Sequence, residues 1–162
     1  MNPDLSTQFE RWYPAVFRYF RLRGADADTA NDLASAAFER ALRKLSSYDP
    51  DRGSFANWIF AIAHNLGADY WKAPATHAPA LADELPASDP LPEQYLIQLE
   101  DQQALLAALN ELDDRQRDLI ALKFASRLTN RKIAEITGLS ESNVGVILYR
   151  ALQRLRVSLI RA

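Results

Sequence analysis

The residues whose types and spacing point most clearly to chemistry lie between Lys132 and Arg150, in the stretch KIAEITGLSESNVGVILYR. A short predicted helix ends at a glycine corner, Gly138, and Ser140 can cap the longer helix that follows. This order is typical of a helix-turn-helix, whose second helix enters the major groove of duplex DNA, although any helical hairpin with a glycine corner is the alternative. We expect contacts with duplex DNA from Arg131, Ser142, Asn143, Val146, Tyr149 and Arg150.

A second group of polar and aromatic side chains lies between Ser54 and Lys72, in SFANWIFAIAHNLGADYWK. Apolar residues at helical spacing, among them Phe55 and Ile62, are predicted to form core. The other side of the same helix keeps amides and aromatic rings together, and such surfaces can hold the unstacked bases of a single strand. Taken alone, the pattern also fits an ordinary helix that only packs against a core.

Enzyme chemistry is not predicted by this sequence. The chain has no cysteine, which excludes disulfides, thiolate metal sites and a cysteine nucleophile. His64 and His77 are too far apart and too isolated from paired acids to suggest a metal site. No glycine-rich phosphate loop, nucleophile motif or carboxylate pair stands out. We therefore expect no enzyme, no catalytic residue and no metal or other cofactor.

The charge of the chain is distributed unevenly along its 162 residues, although the net value is only -2. The segment from Ala73 to Pro92 contains five prolines, which disfavour helix, and the stretch 73–100 has five acidic residues and no basic one. From Asp101 to Ala162 there are ten basic and seven acidic residues. We predict a module at 1–72, an acidic proline-rich linker at 73–95 and a second, basic module at 96–162.

Both modules are predicted to be helical, because apolar residues recur at helical spacing and no strand-like alternation occurs. The first module is expected to hold three helices, with a kink or early break at Pro14, a second helix reaching about Leu45 and a third from Phe55 to about Lys72. Asp113, Thr129 and Ser140 are the expected caps in the second module. The predicted fold is all-α: two small helical bundles joined by a flexible Pro-rich linker, the C-terminal one containing a helix-turn-helix.

The sequence also predicts a cytoplasmic protein with no membrane contact of its own. No run approaches the roughly 20 apolar residues that a membrane span needs. The first ten residues lack the basic and then apolar order of a secretory signal.

Three segments, in this order, are similar to the extracytoplasmic-function class of bacterial sigma factors. DTANDLASAAFERALRKL resembles the family's helix that docks on the polymerase clamp, and YDPDRGSFANWIFAIAHNLGADYWK resembles the segment that opens and reads the minus-ten element. LNELDDRQRDLIALKFASRLTNRKIAEITGLSESNVGVILYRALQRLR resembles the domain that reads the minus-thirty-five element. The resemblance implies a transcription initiation factor whose partners are core RNA polymerase, through its beta and beta-prime subunits, promoter DNA and an anti-sigma factor.

The resemblance also assigns roles to individual residues, and the DNA contacts expected after Arg131 then become contacts with the minus-thirty-five element. Docking on the polymerase is implied for Asp32, Leu33, Phe38, Glu39 and Arg40. A loop that captures a flipped minus-ten base is implied for Tyr48, Asp49, Arg52 and Ser54, where an ordinary Asp-Pro turn is the alternative. Contacts with the melted strand are implied for Asn57, Trp58, His64, Asn65, Tyr70 and Lys72.

The sequence departs from the family pattern at a few positions. Ser35 and Ala36 replace a glutamine-acidic pair, His64 stands where arginine is frequent, and Gly145 and Ile147 stand where basic residues are common. Two other interpretations therefore stay open. One is a helix-turn-helix regulator that binds duplex DNA independently of polymerase, and the other is a helical interaction protein that has lost its DNA contacts.

Overall fold

The computed structural model describes residues 4–73 and 93–161, and within that part its side chains outside 93–100. Most of the predicted acidic linker, including His77, lies outside these residues. The helices of the first module are α1 (Leu5–Arg23), α2 (Ala27–Arg43) and α3 (Phe55–Lys72). Those of the second module are α4 (Glu93–Asn110), α5 (Asp114–Ser126), α6 (Asn130–Thr137) and α7 (Glu141–Arg161). No strand occurs among the described residues, in agreement with the all-α prediction.

Helix α1 continues through Pro14 from Leu5 to Arg23, so of the predicted kink or early break the early break is wrong. The proline removes one backbone hydrogen bond, but the three residues Val16, Tyr19 and Phe20 that follow it are completely buried. Packing of these side chains favours the continuous helix more than one lost hydrogen bond opposes it. The helix ends at Gly24, whose φ of 115° lies in the left-handed region that glycine adopts most easily.

Helix α2 ends at Arg43, two residues earlier than predicted, and a short 3₁₀ turn follows at Leu45–Ser47. The helical spacing of Leu45 with Ala41 predicts that it faces inward, but it is only half-buried. The start of α3 at Phe55 is confirmed, because the Ser54 side chain accepts a hydrogen bond from the Asn57 backbone at 3.2 Å.

The local signals of the second module are confirmed residue by residue. Asp113 accepts from the Gln116 backbone at 2.8 Å, Thr129 from the Lys132 backbone at 3.2 Å and Ser140 from the Asn143 backbone at 3.1 Å. Gly138 has a φ of 78°, as the corner of a helix-turn-helix requires. Between α6 and α7, Ile133 and Val144 are completely buried. Phe124 is an exception: its helical spacing with Leu119 and Ile120 predicts a buried position, but it is 52% exposed.

The two modules pack against each other and share one hydrophobic core. Helix α1 lies along α5, and α3 contacts α6. The sequence predicted two bundles but gave no indication of this contact. No helix in the described part of the chain is long and apolar enough to cross a membrane.

Candidate nucleic-acid interface

The loop between α2 and α3 is fixed by its own polar groups. Asp49 accepts a hydrogen bond from the Asp51 backbone at 2.9 Å, and the Arg52 backbone donates to the Asp49 carbonyl at 3.0 Å, which is a tight Asx-type turn. The Tyr48 ring packs against Trp58, with ring centroids 5.0 Å apart. The turn that the sequence left as the alternative is therefore present. The Arg52 side chain is 89% exposed and its Nε atom lies 3.7 Å from an Asp49 carboxylate oxygen, an exposed ion pair in which a phosphate could replace the carboxylate.

A cavity of about 320 Å³ opens beside this loop. The structure brings six of the predicted minus-ten residues together around it: Tyr48, Asp49, Arg52, Ser54, Asn57 and Trp58. The Oδ1 atom of Asn57 is buried and accepts no hydrogen bond from any described residue. Asn57 and Trp58 both line the cavity, and an amide beside an aromatic ring suits the recognition of a base by hydrogen bonding and stacking.

The cavity has two wall residues that the sequence analysis missed, Glu135 and Ile136 of α6. They come from the first helix of the helix-turn-helix, more than seventy positions along the chain from the loop. No local pattern could have indicated them, because only the contact between α3 and α6 brings them to the cavity.

The remaining predicted minus-ten residues follow the outer side of α3. Asn65 and Lys72 are exposed, and Tyr70 is half-buried. His64 differs from them, because its Nδ1 atom lies 3.1 Å from a carboxylate oxygen of Asp118 on α5 and its side chain is 16% exposed. In this arrangement His64 contacts the second module instead of facing solvent.

The duplex-reading face predicted on α7 is open to solvent. Val146 is 44% and Tyr149 64% exposed, and the other four predicted residues, Arg131, Ser142, Asn143 and Arg150, are exposed as well. Those on α7 fall at successive turns of one side of the helix, as a face that enters a major groove requires.

The predicted polymerase-docking residues lie on α2, where Asp32 and Glu39 are exposed, Leu33 and Arg40 are half-buried and Phe38 belongs to the core. An apolar depression of about 600 Å³ lies beside them, between α1 and α2. Its walls include Phe9 and Leu42, which are 41% and 59% exposed, although the helical spacing of Phe9 with Tyr13 and Val16 predicts that Phe9 is buried. These two residues were missed as docking candidates.

A buried polar network joins the modules, and the sequence analysis missed it except for His64. The Tyr19 hydroxyl donates to Asp118 at 2.7 Å, and Arg23 lies 3.0 Å from Asp114 and 3.7 Å from Asp118. Arg23 is only 3% exposed and stacks over the Trp71 ring at 4.4 Å. We call Tyr19, Arg23, His64, Asp114 and Asp118 the interdomain latch.

Gly67 makes room for this cation. A Cβ atom at Gly67 would lie 3.1 Å from Nη1 of Arg23 and 3.2 Å from the Trp71 ring. The backbone of α3 can therefore approach the stacked guanidinium only where a side chain is absent.

Burial and the contacts within the latch shift the pKa values of Tyr19 and Asp118. Burial raises the pKa of the Tyr19 hydroxyl well above its ordinary value, and the adjacent Asp118 carboxylate adds to the shift. Burial alone would raise the pKa of Asp118, but the His64 hydrogen bond and the Arg23 charge outweigh it and lower that pKa. At neutral pH Asp118 is therefore a carboxylate that accepts from a neutral tyrosine.

We expect the latch to stabilise the fold fully at neutral pH and to lose this stabilisation at strongly acid and strongly alkaline pH. Tyr19, whose pKa is raised on folding, stabilises below its ordinary pKa of 10 and loses this contribution as pH rises further. Asp118, whose pKa is lowered on folding, stabilises above the ordinary carboxyl pKa and loses its contribution as pH falls through the lowered value. Each group should change the free energy of unfolding by up to about 1.4 kcal/mol per pH unit.

Urea unfolding of the wild type and of Tyr19→Phe, measured from acid to alkaline pH, tests this assignment. Tyr19→Phe should flatten the alkaline limb and move the acid limb slightly to higher pH, because the Tyr19 hydrogen bond also helps to lower the pKa of Asp118. An alkaline limb that is as steep in Tyr19→Phe as in the wild type would contradict it.

Comparison with known proteins agrees with this geometry. The sequence model of Sigma-70 region 2 matches residues 8–75, and that of Sigma-70 region 4 matches residues 102–155. The extracytoplasmic-function sigma factor RpoE of Cereibacter sphaeroides is 30% identical over 148 residues, which cover 91% of this chain and 82% of that protein. This chain belongs to the extracytoplasmic-function sigma factors. The resemblance of its three segments to that class is thereby confirmed.

Two other sigma factors are similar in sequence to this chain, and the matches cover different fractions of their lengths. ShbA of Streptomyces griseus is 32% identical over 155 residues, which cover 89% of this chain and 81% of that protein. BldN of Streptomyces coelicolor is 28% identical over 150 residues, 91% of this chain, but the match covers only 57% of BldN.

Two solved structures share the fold. CnrH, in complex with the cytosolic domain of CnrY, has a TM-score of 0.72 at 22% identity and covers 97% of this chain and 88% of its own. RpoE of Bartonella quintana, in complex with the anti-sigma factor NepR, has a TM-score of 0.74 at 22% identity and covers 96% of both chains.

Proposed function

We propose that this protein is an alternative sigma factor that binds core RNA polymerase and directs promoter-specific transcription initiation. The observation that carries the proposal is the presence of both sigma regions, in order, at 8–75 and 102–155. A cavity of about 320 Å³ that suits a base lies at the α2–α3 loop of the first, with α6 forming part of its wall, and the second presents an exposed helix-turn-helix face. The domain limits of 1–72, 73–95 and 96–162 are part of the same proposal.

The first module would dock on the beta-prime clamp through α2 and the apolar depression beside it. Asp32, Glu39 and Arg40 supply the polar contacts, and Phe9 and Leu42 supply exposed apolar area. Exposed aromatic and aliphatic side chains beside charged ones are typical of the centre of a protein interface.

The DNA contacts would divide between the modules. The cavity at the α2–α3 loop would receive an unstacked minus-ten base, which the Asn57 amide would recognise and the Trp58 ring would contact. On α7, the Asn143 amide would read a base edge of the minus-thirty-five element, while Arg131 and Arg150 hold phosphates.

An anti-sigma factor is the further partner that we propose, as in the complex of Bartonella RpoE with the anti-sigma factor NepR. A largely apolar groove of about 730 Å³ lies between α1, α4, α5 and α7, with Leu22, Ile120 and Phe124 among its walls. Arg18 and Arg156 also line it. Apolar walls with two cations fit an amphipathic helix that carries acidic residues.

Run-off transcription with purified core RNA polymerase on a library of random upstream sequences tests the proposed function. We expect promoter-specific transcripts, and we expect Asn143→Ala to reduce them roughly tenfold to a hundredfold, because one bidentate amide–base pair contributes about 1–3 kcal/mol of discrimination. Gln102→Ala is the matched control, since it also truncates an exposed amide but lies on α4.

The assay also separates the remaining interpretations. A regulator that acts without polymerase would bind duplex DNA alone, would not co-elute with core polymerase and would give no specific transcript. The match of residues 8–75 to region 2 argues against it, because such a regulator has no use for a polymerase-docking and strand-melting module. Absence of both transcripts and co-elution would overturn the proposed function.

A further inference from the structure

The side of α7 that we assign to duplex DNA carries no positive charge in its first nine residues. The stretch 141–149 reads ESNVGVILY, which contains one acid and neither lysine nor arginine. Arginine or lysine bonded to the O6 and N7 atoms of guanine is the commonest base-specific contact in the major groove. The part of a recognition helix that meets base edges is its N-terminal part. In this protein that part therefore lacks the side chains that select guanine.

The arginines farther along α7 do not supply the missing charge. Arg150 is exposed, but it follows Asn143 by seven residues, which is about 10 Å along the helix axis. Arg154 donates to the Gln116 side chain and to the Glu111 carbonyl, both at 3.0 Å. Arg150 is therefore placed for a phosphate, and Arg154 is held against its own module.

The first two turns of α7 instead offer an amide and a branched apolar side chain. Asn143 is exposed, and its backbone N–H is fixed by a 3.1 Å hydrogen bond to the Ser140 hydroxyl. Val146 is 44% exposed and lies about 4.5 Å farther along the helix axis, close to the 3.4 Å step between base pairs. Asparagine pairs with the N6 and N7 atoms of adenine, and apolar side chains contact the thymine methyl group. The two side chains can therefore read neighbouring A·T pairs.

The fold does not require a glycine at position 145, between these two residues. A Cβ atom on Gly145 would lie 3.8 Å from Nδ2 of Asn130, which is an ordinary contact, and the Gly145 backbone is not in the left-handed region. A glycine inside a helix destabilises it relative to alanine. The absence of a side chain does, however, let the backbone of α7 lie close to a base edge.

The neighbouring residues add no contact that selects guanine. The Ser142 hydroxyl can bond to any base. Ile147 is half-buried and packs against the core, so it is not part of the reading face. The Glu141 carboxylate can accept only from the cytosine amino group, and it is the first residue of α7, outside the segment from Asn143 to Val146.

We propose that the minus-thirty-five element of this protein has two adjacent A·T pairs at the α7 contact, with adenine bonded by the Asn143 amide and a thymine methyl group packed against Val146. Guanine in place of adenine removes the N6 donor from which the amide oxygen accepts. Gly145 lets the helix approach both pairs closely. The proposal rests on the proposed function in assigning α7 to the minus-thirty-five element.

The test compares the sequence preferences of the wild type, Gly145→Arg and Val157→Arg. Each full chain is used in two formats: with core polymerase on the random upstream library, and alone on a library of short random duplexes. Gly145→Arg adds a guanidinium where a Cβ atom has room. Val157→Arg is the matched control, because it adds the same charge at an exposed position of the same helix, about 18 Å away.

We expect the wild type and Val157→Arg to select two adjacent A·T pairs whose identity responds to Asn143→Ala. Gly145→Arg should replace one of them by G·C with a preference of roughly tenfold to a hundredfold, because arginine bonds guanine in a bidentate manner. Selection of G·C by the wild type at these positions would overturn the proposal. An unchanged preference in a folded Gly145→Arg, or the same change in Val157→Arg, would overturn it as well.

Two base analogues test the same contacts without any change at position 145. Replacing the selected adenine by 7-deazaadenine removes the N7 acceptor and should weaken binding of the wild type about fivefold. Replacing the selected thymine by uracil removes only the methyl group and should weaken binding about fourfold. The uracil effect should be smaller in Val146→Ala. Wild-type binding that is insensitive to both analogues would contradict the assignment even if Gly145→Arg does not fold.

Failure of this proposal is distinguishable from failure of the proposed function. Selection of A·T pairs by the full chain alone, without any polymerase-dependent transcript, would support the base assignment and overturn the proposed function. Specific transcripts with G·C pairs at the positions that respond to Asn143→Ala would leave the proposed function in place and overturn the base assignment. No selected sequence in either format would overturn both.

Discussion

Replacing Phe60 by alanine is expected to lower the free energy of unfolding by about 3–5 kcal/mol. The side chain is completely buried at the centre of the first module. Its ring meets those of Trp12 and Tyr19 edge-to-face, with centroids 6.5 and 6.2 Å away. Removal therefore costs the transfer free energy of the ring, both aromatic contacts and the cavity that remains.

Urea denaturation followed by circular dichroism measures this loss, with Phe124→Ala as the matched control. Phe124 is 52% exposed, so the same truncation there should cost less than about 1 kcal/mol. Similar losses for the two variants would show that burial in this structure does not govern stability. Because Tyr19 also belongs to the latch, we expect Phe60→Ala to loosen the contact between the modules as well.

The second large expected effect is a difference between two substitutions in α7, one at a residue that stabilises the fold and one at a residue that faces DNA. Val144 and Val146 are two positions apart, but Val144 is completely buried and Val146 is 44% exposed. Val144→Asp would bury a carboxylate without a partner between α6 and α7, at a cost of about 4 kcal/mol or more. Val146→Asp leaves its carboxylate in water and should change the free energy of unfolding by less than about 1 kcal/mol.

Both variants should nevertheless lose recognition of the minus-thirty-five element, for different reasons. Val144→Asp should lose it because the helix-turn-helix no longer folds, which circular dichroism and thermal unfolding would detect. Val146→Asp should lose it because a carboxylate in the major groove repels the phosphates and pairs with few base edges. Normal transcription by Val146→Asp would mean that this side of α7 does not face DNA.

The latch costs free energy of hydration and in return favours one arrangement of the two modules. Its buried charges lose hydration, and buried ion pairs often contribute little net stability for that reason. The interaction energy of these groups depends strongly on their positions, because Asp118 contacts Tyr19, Arg23 and His64 at the same time. We therefore expect the latch to select one arrangement of the modules more than it adds to the stability of either.

The sequence by itself determined the features that depend on neighbouring residues. Asp113, Thr129 and Ser140 cap their helices because a cap needs only a side-chain oxygen and a backbone N–H two or three positions away. The corner at Gly138 follows from the freedom of one glycine. The all-α class and the family were predictable as well, since they depend on periodicity and on the order of motifs along the chain.

Only the tertiary structure decided how the modules meet. Tyr19 and Asp118 are 99 positions apart, and a tyrosine and an aspartate at that separation carry no signal in a single sequence. Pro14 and Phe124 were mispredicted for a related reason: helix continuity and burial depend on which surfaces pack nearby, not on local pattern alone. Glu135 and Ile136 lie at the minus-ten cavity because α6 is packed against α3, a distant contact that helical periodicity cannot reveal.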